Sequence, residues 1–307
     1  MINIVGRKKI WFTISSAIII VTILVALIFS VELDIQFRGG SIVTYSHSGE
    51  LDKGDFAKTI ESVLGGEKVS IQEQRDVTTG EMNLVVTLSS KQGISPEKYG
   101  EINDALWAAY PQNNIEVVST SNVDASIGHD FLIKSVVAVA AASVLMIVYI
   151  AFRFRKIGGW SAGVFSVLAL LHDVMFVFAV FVFFRIPLND SFIAVVLTIL
   201  GYSINATVVI YDRIRENKRL LGTKVSLAEL VNTSINQSLT RSINTTISTV
   251  IAMGTVCVVA IVYNVSSIIT FAAPMLVGMI AGAYSSVCIA GPLWVTWQEH
   301  KLAKKHG

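Results

Sequence analysis

Six long apolar runs constrain this chain more than any other feature. Residues 10–29, 135–152, 191–211, 242–263 and 268–298 contain no charged side chain, and a sixth run, 157–184, is broken only by His172 and Asp173. Each run is near or above the ~20 residues that a helix needs to cross ~30 Å of hydrocarbon. Lipid offers no partner to backbone N–H and C=O groups, so the runs are read as helices. Spans are placed at 10–30, 131–152, 160–184, 191–211, 242–263 and 267–298. Only 15% of the 307 residues are charged, against roughly 25% in soluble proteins. The chain is expected to be a polytopic α-helical membrane protein.

The net charge of +2 conceals an asymmetry. Residues 31–130 hold 16 acidic and 7 basic side chains. The remaining short segments are basic: Arg7, Lys8 and Lys9; Arg153, Arg155 and Lys156; Arg213, Arg215, Lys218, Arg219 and Lys224; Lys301, Lys304 and Lys305. Six crossings put all of these clusters on one side. The positive-inside rule makes that side cytoplasmic. It holds the tails 1–9 and 299–307, the turn 153–159 and the loop 212–241, while 31–130 and 185–190 lie outside. Topology accounts for the basic clusters, and no nucleic acid is implied. The first run is too long for a typical signal-peptide core and lacks a small-x-small cleavage site, so it is expected to be a retained anchor.

The outside segment is large enough for one small domain. Residues 41–45 are strand-like. Asp52 then caps a helix with apolar face Phe56, Ile60, Val63 and Leu64, ended by Gly65-Gly66. Residues 68–74 and 82–88 are two strands joined through Thr78-Thr79-Gly80. Ser95-Pro96 opens a second helix carrying Tyr99, Ile102, Leu106 and Tyr110, and 115–119 is a last strand. The order β-α-β-β-α-β predicts a small α+β domain of ferredoxin-like plan. In the loop 212–241, Ser226-Leu227-Ala228-Glu229 fits a capping box. The apolar positions after it suggest an amphipathic helix, either on the membrane surface or docked on a cytoplasmic partner.

Polar groups at membrane depth are the candidate working parts, because each must find a partner or line a wet cavity. Asp173, beside His172, is near the middle of the third span. The fourth span carries Tyr202, Ser203, Asn205 and Thr207, with Tyr202 and Asn205 three apart on one face. The fifth opens with Arg241, Ser242, Asn244, Thr245, Thr246, Ser248 and Thr249, in which Arg241, Thr245 and Thr249 share a face. Two successive polar-faced helices suggest a shared interior seam. The bland alternatives are inter-helix hydrogen bonding for Asp173, close packing for the hydroxyls, and snorkelling for Arg241. Gly278 and Gly282 form a small-xxx-small pair, consistent with a partner helix or a tight bundle.

These residues together resemble the SecF type of the SecD/SecF family, protein-export membrane subunits of the bacterial Sec translocase within the RND superfamily. The resemblance runs over nearly the whole chain. It is carried by Phe37-Arg38-Gly39-Gly40, by Leu171-His172-Asp173-Val174, and by Arg241 in Leu239-Thr240-Arg241-Ser242. Its most specific part is Gly201-Tyr202-Ser203-Ile204-Asn205 followed by Asp212-Arg213-Ile214-Arg215-Glu216-Asn217, a motif at the cytoplasmic exit of the span. The resemblance implies a six-span subunit of the bacterial cytoplasmic membrane that pairs with SecD. It further implies association with the SecYEG channel and the SecA motor, and use of a proton or sodium gradient in late export of an unfolded polypeptide. One position departs from the family pattern: Ala206 stands where an Asp usually pairs with the fifth-span Arg. Alanine carries no proton. An engineered change, a lineage with another coupling ion, and transfer of the role to Asp173 or to a partner carboxylate all remain open, and the intact surrounding motif favours a natural variant.

The leading expectation is an ion-gradient-driven accessory subunit of protein export, with Asp173, Asn205, Arg241, Tyr202 and Thr245 as ion-path candidates. A non-coupled scaffold of the Sec complex is the alternative, made more credible by Ala206. A self-contained small-molecule exporter is disfavoured by six spans and one small domain. No His-Glu-x-x-His, Gly-x-Ser-x-Gly or phosphate-loop motif is present, and no enzyme activity, cofactor or metal is expected.

Overall fold

The computed structural model describes residues 1–75, 82–88, 94–222, 224–263 and 265–306. Helix α1 (Lys8–Phe29) leads into a one-turn helix α2 (Ile35–Arg38) and then into a small domain. That domain comprises β1 (Gly40–Ser46), α3 (Lys53–Val63), β2 (Val69–Arg75), β3 (Met82–Leu88), α4 (Pro96–Ala109) and β4 (Glu116–Val123). Five long helical passages follow: α5 (Ala125–Arg153), α6 (Gly159–Phe184), α7 (Asp190–Leu221), α8 (Leu227–Val262), and α9 (Ser266–Ser285) continued by α10 (Gly291–His306). Among the described residues, six passages are long and apolar enough to cross a membrane. The chain is a multi-pass membrane protein with one extramembrane domain.

The domain's sheet is antiparallel with strand order β2-β3-β1-β4, the ferredoxin-like arrangement expected from the element order. Its core gathers Val43, Tyr45, Leu84 and Val86 against Phe56, Ile60, Ile102 and Leu106. Ser95 and Asp52 cap their helices through the amides of Lys98 and Asp55. The expected turn Thr78-Thr79-Gly80 lies outside the described residues, as does Asn264 between α8 and α9. Strand β4 extends to Val123, beyond the expected 115–119. Its second half, Thr120-Ser121-Asn122, is exposed and shows no apolar alternation, so only pairing with β1 at Gly40–Val43 reveals it.

The unexpected helix α2 explains the Phe-x-Gly-Gly signature. Phe37 is buried and stacks on Phe131 of α5, with ring centroids 5.7 Å apart. A Cβ on Gly128 would lie 2.9 Å from the Phe37 carbonyl carbon. Gly39 and Gly40 then take φ of 81° and 140°, which L side chains rarely adopt. These residues join the domain to α5 where α5 enters the membrane.

The 212–241 region corrects an expectation. Among the described residues the expected amphipathic helix is not a separate element but the first part of α8. At 1.5 Å per residue, α7 and α8 are about 48 and 54 Å long, well beyond the hydrocarbon. They project together as a hairpin whose α8 arm begins at the Ser226 cap, with Glu229 N 3.2 Å from Ser226 Oγ. The apolar positions Leu230, Val231 and Ile235 pack on this chain's own Tyr211, Ile214, Phe154 and Trp294. The N-terminal segment joins them: Ile4 N donates to Asn232 Oδ1 at 2.8 Å, and Ile4 and Val5 are buried. No proline interrupts 227–262, so the helix has no reason to stop at the membrane boundary.

Candidate functional site

A buried polar cluster lies where α6, α7 and α9 meet. Glycines let these helices approach. A Cβ on Gly278 would come within 2.8 Å of Ile199 and Val177 side chains, and one on Gly282 within 2.9 Å of Ser203 Cβ. The small-xxx-small pair therefore serves packing inside this chain. A second such pair, Gly159 and Gly163, brings α6 against the α5 backbone: a Cβ on Gly159 would collide with the Ala151 carbonyl, and one on Gly163 would be 2.8 Å from the Ile147 carbonyl.

Asp173 projects from α6 into this junction and is fully buried, the only buried carboxylate among the described residues. Its Oδ2 accepts from Ser203 Oγ of α7 at 2.6 Å and from Ser285 Oγ of α9 at 2.9 Å. Its Oδ1 lies 3.1 Å from His172 Nδ1. A π-helical turn, Ser286–Ala290, begins directly after Ser285; such turns recur at functional sites. Ser286 extends the seam, accepting from Thr207 Oγ1 at 3.0 Å and donating to the Ser203 carbonyl at 3.3 Å.

From His172 the hydrogen bonds continue to α1. His172 Nε2 is 3.0 Å from Ser15 Oγ, Ser15 Oγ is 3.1 Å from Tyr284 OH, and Tyr284 OH donates to the Trp11 carbonyl at 2.9 Å. One assignment of protons satisfies every contact along this line. Tyr284 directs its single proton to a carbonyl, which only accepts. In that assignment Ser15 donates to Tyr284, and His172 donates to Ser15 through Nε2. The Nδ1–Oδ1 contact then holds one proton, on the imidazole or on the carboxyl. In both cases the Asp173–His172 pair is neutral overall, which suits membrane depth. Withdrawing that proton leaves a net negative charge there, a cost of roughly 2.5–3.5 kcal/mol on insertion scales.

The ion-path candidates do not form one site. Tyr202, Asn205, Ala206, Arg241 and Thr245 converge, with Ser242, around a cavity of about 60 Å³ between α7 and α8. Asp173 is on the opposite side of α7, behind Ser203. In the outward seam Tyr202 OH is 2.8 Å from Thr249 Oγ1, and Thr245 returns its hydroxyl to the Arg241 carbonyl at 2.9 Å. Asn205, Arg241 and Thr245 are exposed, and among the described residues Arg241 has no carboxylate within ion-pair distance. Ala206 lines the same cavity, where a longer acidic side chain would face the guanidinium.

The 212–217 motif holds the helical hairpin. Asp212 pairs with Arg153 of α5 at 3.1 Å and with Arg215 at 2.7 Å, and Arg213 pairs with Glu216 at 2.6 Å. Asn217 is buried and donates to Ser234 Oγ and Gln237 Oε1, both at 2.8 Å. Sequence reasoning singled out Asp173 but missed Ser15, Tyr284, Ser285 and Ser286. Hydroxyls are common in spans, and nothing local marks these four.

Fold and site together define a class: a multi-pass membrane protein with a ferredoxin-like extramembrane domain and a buried acid–imidazole pair at the helix junction. Residues 103–300 match the family described as protein export membrane protein SecD/SecF, C-terminal. The chain belongs to that family. It is 31% identical to the protein translocase subunit SecF of Sebaldella termitidis, over 95% of this chain and 90% of that one. It is 32% identical to the protein translocase subunit SecDF of Bacillus subtilis over 97% of this chain, but only 38% of that protein's length. The crystal structure of SecDF from Thermus thermophilus, described as a translocon-associated membrane protein, superposes with a TM-score of 0.80 at 29% identity, covering 97% of this chain and 39% of that one. The chain thus spans under two-fifths of the SecDF relatives and nine-tenths of a SecF relative.

Proposed function

We propose that the chain is a membrane subunit of the Sec protein translocase that works with a SecD partner to drive late steps of polypeptide export with an ion gradient. The reading takes the termini and the basic end of the bundle as cytoplasmic and the acidic domain as facing outward, beside the emerging polypeptide. The SecYEG channel and the SecA motor are the expected neighbours. The observation that carries the coupling claim is the Asp173–His172 contact, buried where three helices meet and suited to hold a single exchangeable proton. Losing that proton places a charge in hydrocarbon and favours a rearrangement of α6, α7 and α9 that admits water or a counter-charge. The proton is therefore the ion this site handles. Export of a precursor into membrane vesicles tests the reading. Vesicles containing the chain should export faster when a proton gradient is present, and a protonophore should abolish the gain. Equal rates with and without the chain would refute a role in export, and equal rates with and without the gradient would refute coupling.

A second reading, a non-coupled scaffold, is favoured by Ala206, which leaves the outward seam without an acid of its own. Arg241→Ala and Asp173→Asn separate the two readings. Normal assembly and normal gradient-stimulated export in both variants would support the scaffold.

A further inference from the structure

The basic end of the bundle carries two adjoining open cavities, of about 850 and 830 Å³. Arg155 and Lys218 line both. The Arg155 guanidinium lies 4.8 Å from the Phe152 ring centroid, and Lys218 Nζ donates to the Lys156 carbonyl at 3.1 Å. These contacts hold the two cations in the shared wall. Arg219 adds to one cavity and Lys301 to the other. Among the described residues none of these four is within ion-pair distance of a carboxylate, whereas Arg153 and Arg215 on the same rim are both taken by Asp212.

The rim facing the membrane is aromatic. Phe152 in the last turn of α5 and Trp160 in the first turn of α6 are 59% and 66% exposed. Behind them run two apolar stripes at helical spacing, Tyr149 and Leu145 on α5, and Val164 and Leu168 on α6, all exposed. Trp and basic residues at a span's end fit the headgroup level of a bilayer. The positive-inside bias accounts for the charges alone; it does not call for unneutralised cations gathered around a cavity that opens onto apolar stripes.

We propose that this double cavity binds the phosphodiester headgroup of an anionic phospholipid, with Arg155 and Lys218 as the central contacts and Lys301 flanking. The acyl chains lie along the α5 and α6 stripes beyond Phe152 and Trp160. Basic pockets between spans at the cytoplasmic boundary are suited to such headgroups. An acidic peptide would use the cations but leave the aromatic rim and stripes without a role. This inference is independent of the export reading.

Native mass spectrometry of the full chain in detergent, offered equal amounts of phosphatidylglycerol and phosphatidylcholine, tests it. Wild type should retain phosphatidylglycerol in preference. Arg155→Gln, Lys218→Gln and Lys301→Gln should each reduce that preference by on the order of fivefold, and Lys218→Arg with Lys301→Arg should keep it. The matched control Arg7→Gln, Lys9→Gln and Lys304→Gln should leave it unchanged; all six Gln-substituted positions are exposed. Equal retention of both lipids by wild type, or an equal fall in the control, would overturn the proposal. Displacement of the lipid by glycerol phosphate or by an acidic peptide at comparable concentration would overturn it in favour of those ligands.

Discussion

Helix α7 carries two polar faces that behave in opposite ways. The inward face, Ser203 and Thr207, finds its partners within the chain: Asp173 and Ser286. The outward face, Tyr202, Asn205 and Ala206, meets α8 around a small cavity and leaves Asn205 and Arg241 exposed. Hydrocarbon penalises unsatisfied polar groups, so the contrast teaches which seam is complete. The inward seam is a finished unit that this chain stabilises alone. The outward seam is left open within this chain, with Asn205 and Arg241 exposed.

The two faces should respond differently to substitution. The largest effect is expected from Asp173→Leu, which strips Ser203, Ser285 and His172 of their shared acceptor. Breaking a buried pair in this way costs roughly 3–5 kcal/mol, visible as a lower midpoint in thermal unfolding of the purified chain. Arg241→Ala should change that midpoint little, within about 0.5 kcal/mol, while reducing co-purification of the partner. Equal losses for the two variants would break the distinction between the faces.

Glycines sharpen the contrast at a smaller scale. Gly282→Ala forces a Cβ to within 2.9 Å of Ser203 and should destabilise the chain by about 1–3 kcal/mol through overpacking. On the other face of α7 a Cβ at Gly201 meets nothing within 4 Å. Gly201→Ala should therefore be neutral, or stabilising by up to ~1 kcal/mol through helix propensity. Unfolding midpoints of the two variants check both signs.

Ala206→Asp tests the outward seam by addition. It places an acid in the cavity that Arg241 lines, and a partly exposed pair of this kind is worth about 0–1 kcal/mol. Stability should barely move, but export should gain a pH dependence that Arg241→Ala removes. The smallest effect belongs to Asp34, the N-cap of α2. Burial raises the Asp34 carboxyl above its usual range, outweighing the amide of Gln36 that it accepts. A raised folded-state value means that stability is highest below the unfolded carboxylate range of about 3.9, and falls as pH rises through the folded value. Asp34→Asn should flatten that fall in pH-dependent unfolding.

Much of this was legible in the residues themselves. The six passages follow from apolar length, and the ferredoxin-like order from strands of period two and capped helices. That Tyr202 and Asn205, or Arg241 and Thr245, share faces was readable from spacing alone, but the seam they form was expected in the interior and instead leaves Asn205, Arg241 and Thr245 exposed. The inward seam was not readable. Ser15 and His172 are 157 positions apart, and only the folded chain brings α1 to α6. Ser285 gains its role from the glycine-permitted approach of α9 and from the adjoining π-turn, neither of which has a local signature. The continuity of α8 was also hidden. Its amphipathic first half resembles an independent surface helix until the apolar face is seen against Tyr211 and Trp294 of the same chain.

The central claim is that the pair Asp173 and His172 holds the proton through which the gradient acts. Gradient-stimulated export in vesicles carrying Asp173→Asn tests it most directly, because asparagine keeps the size and hydrogen-bonding capacity of the side chain but cannot take up or release the proton. The account predicts that the variant assembles with its partner and exports at the basal rate, indifferent to the gradient. Full gradient stimulation with Asp173→Asn would contradict it.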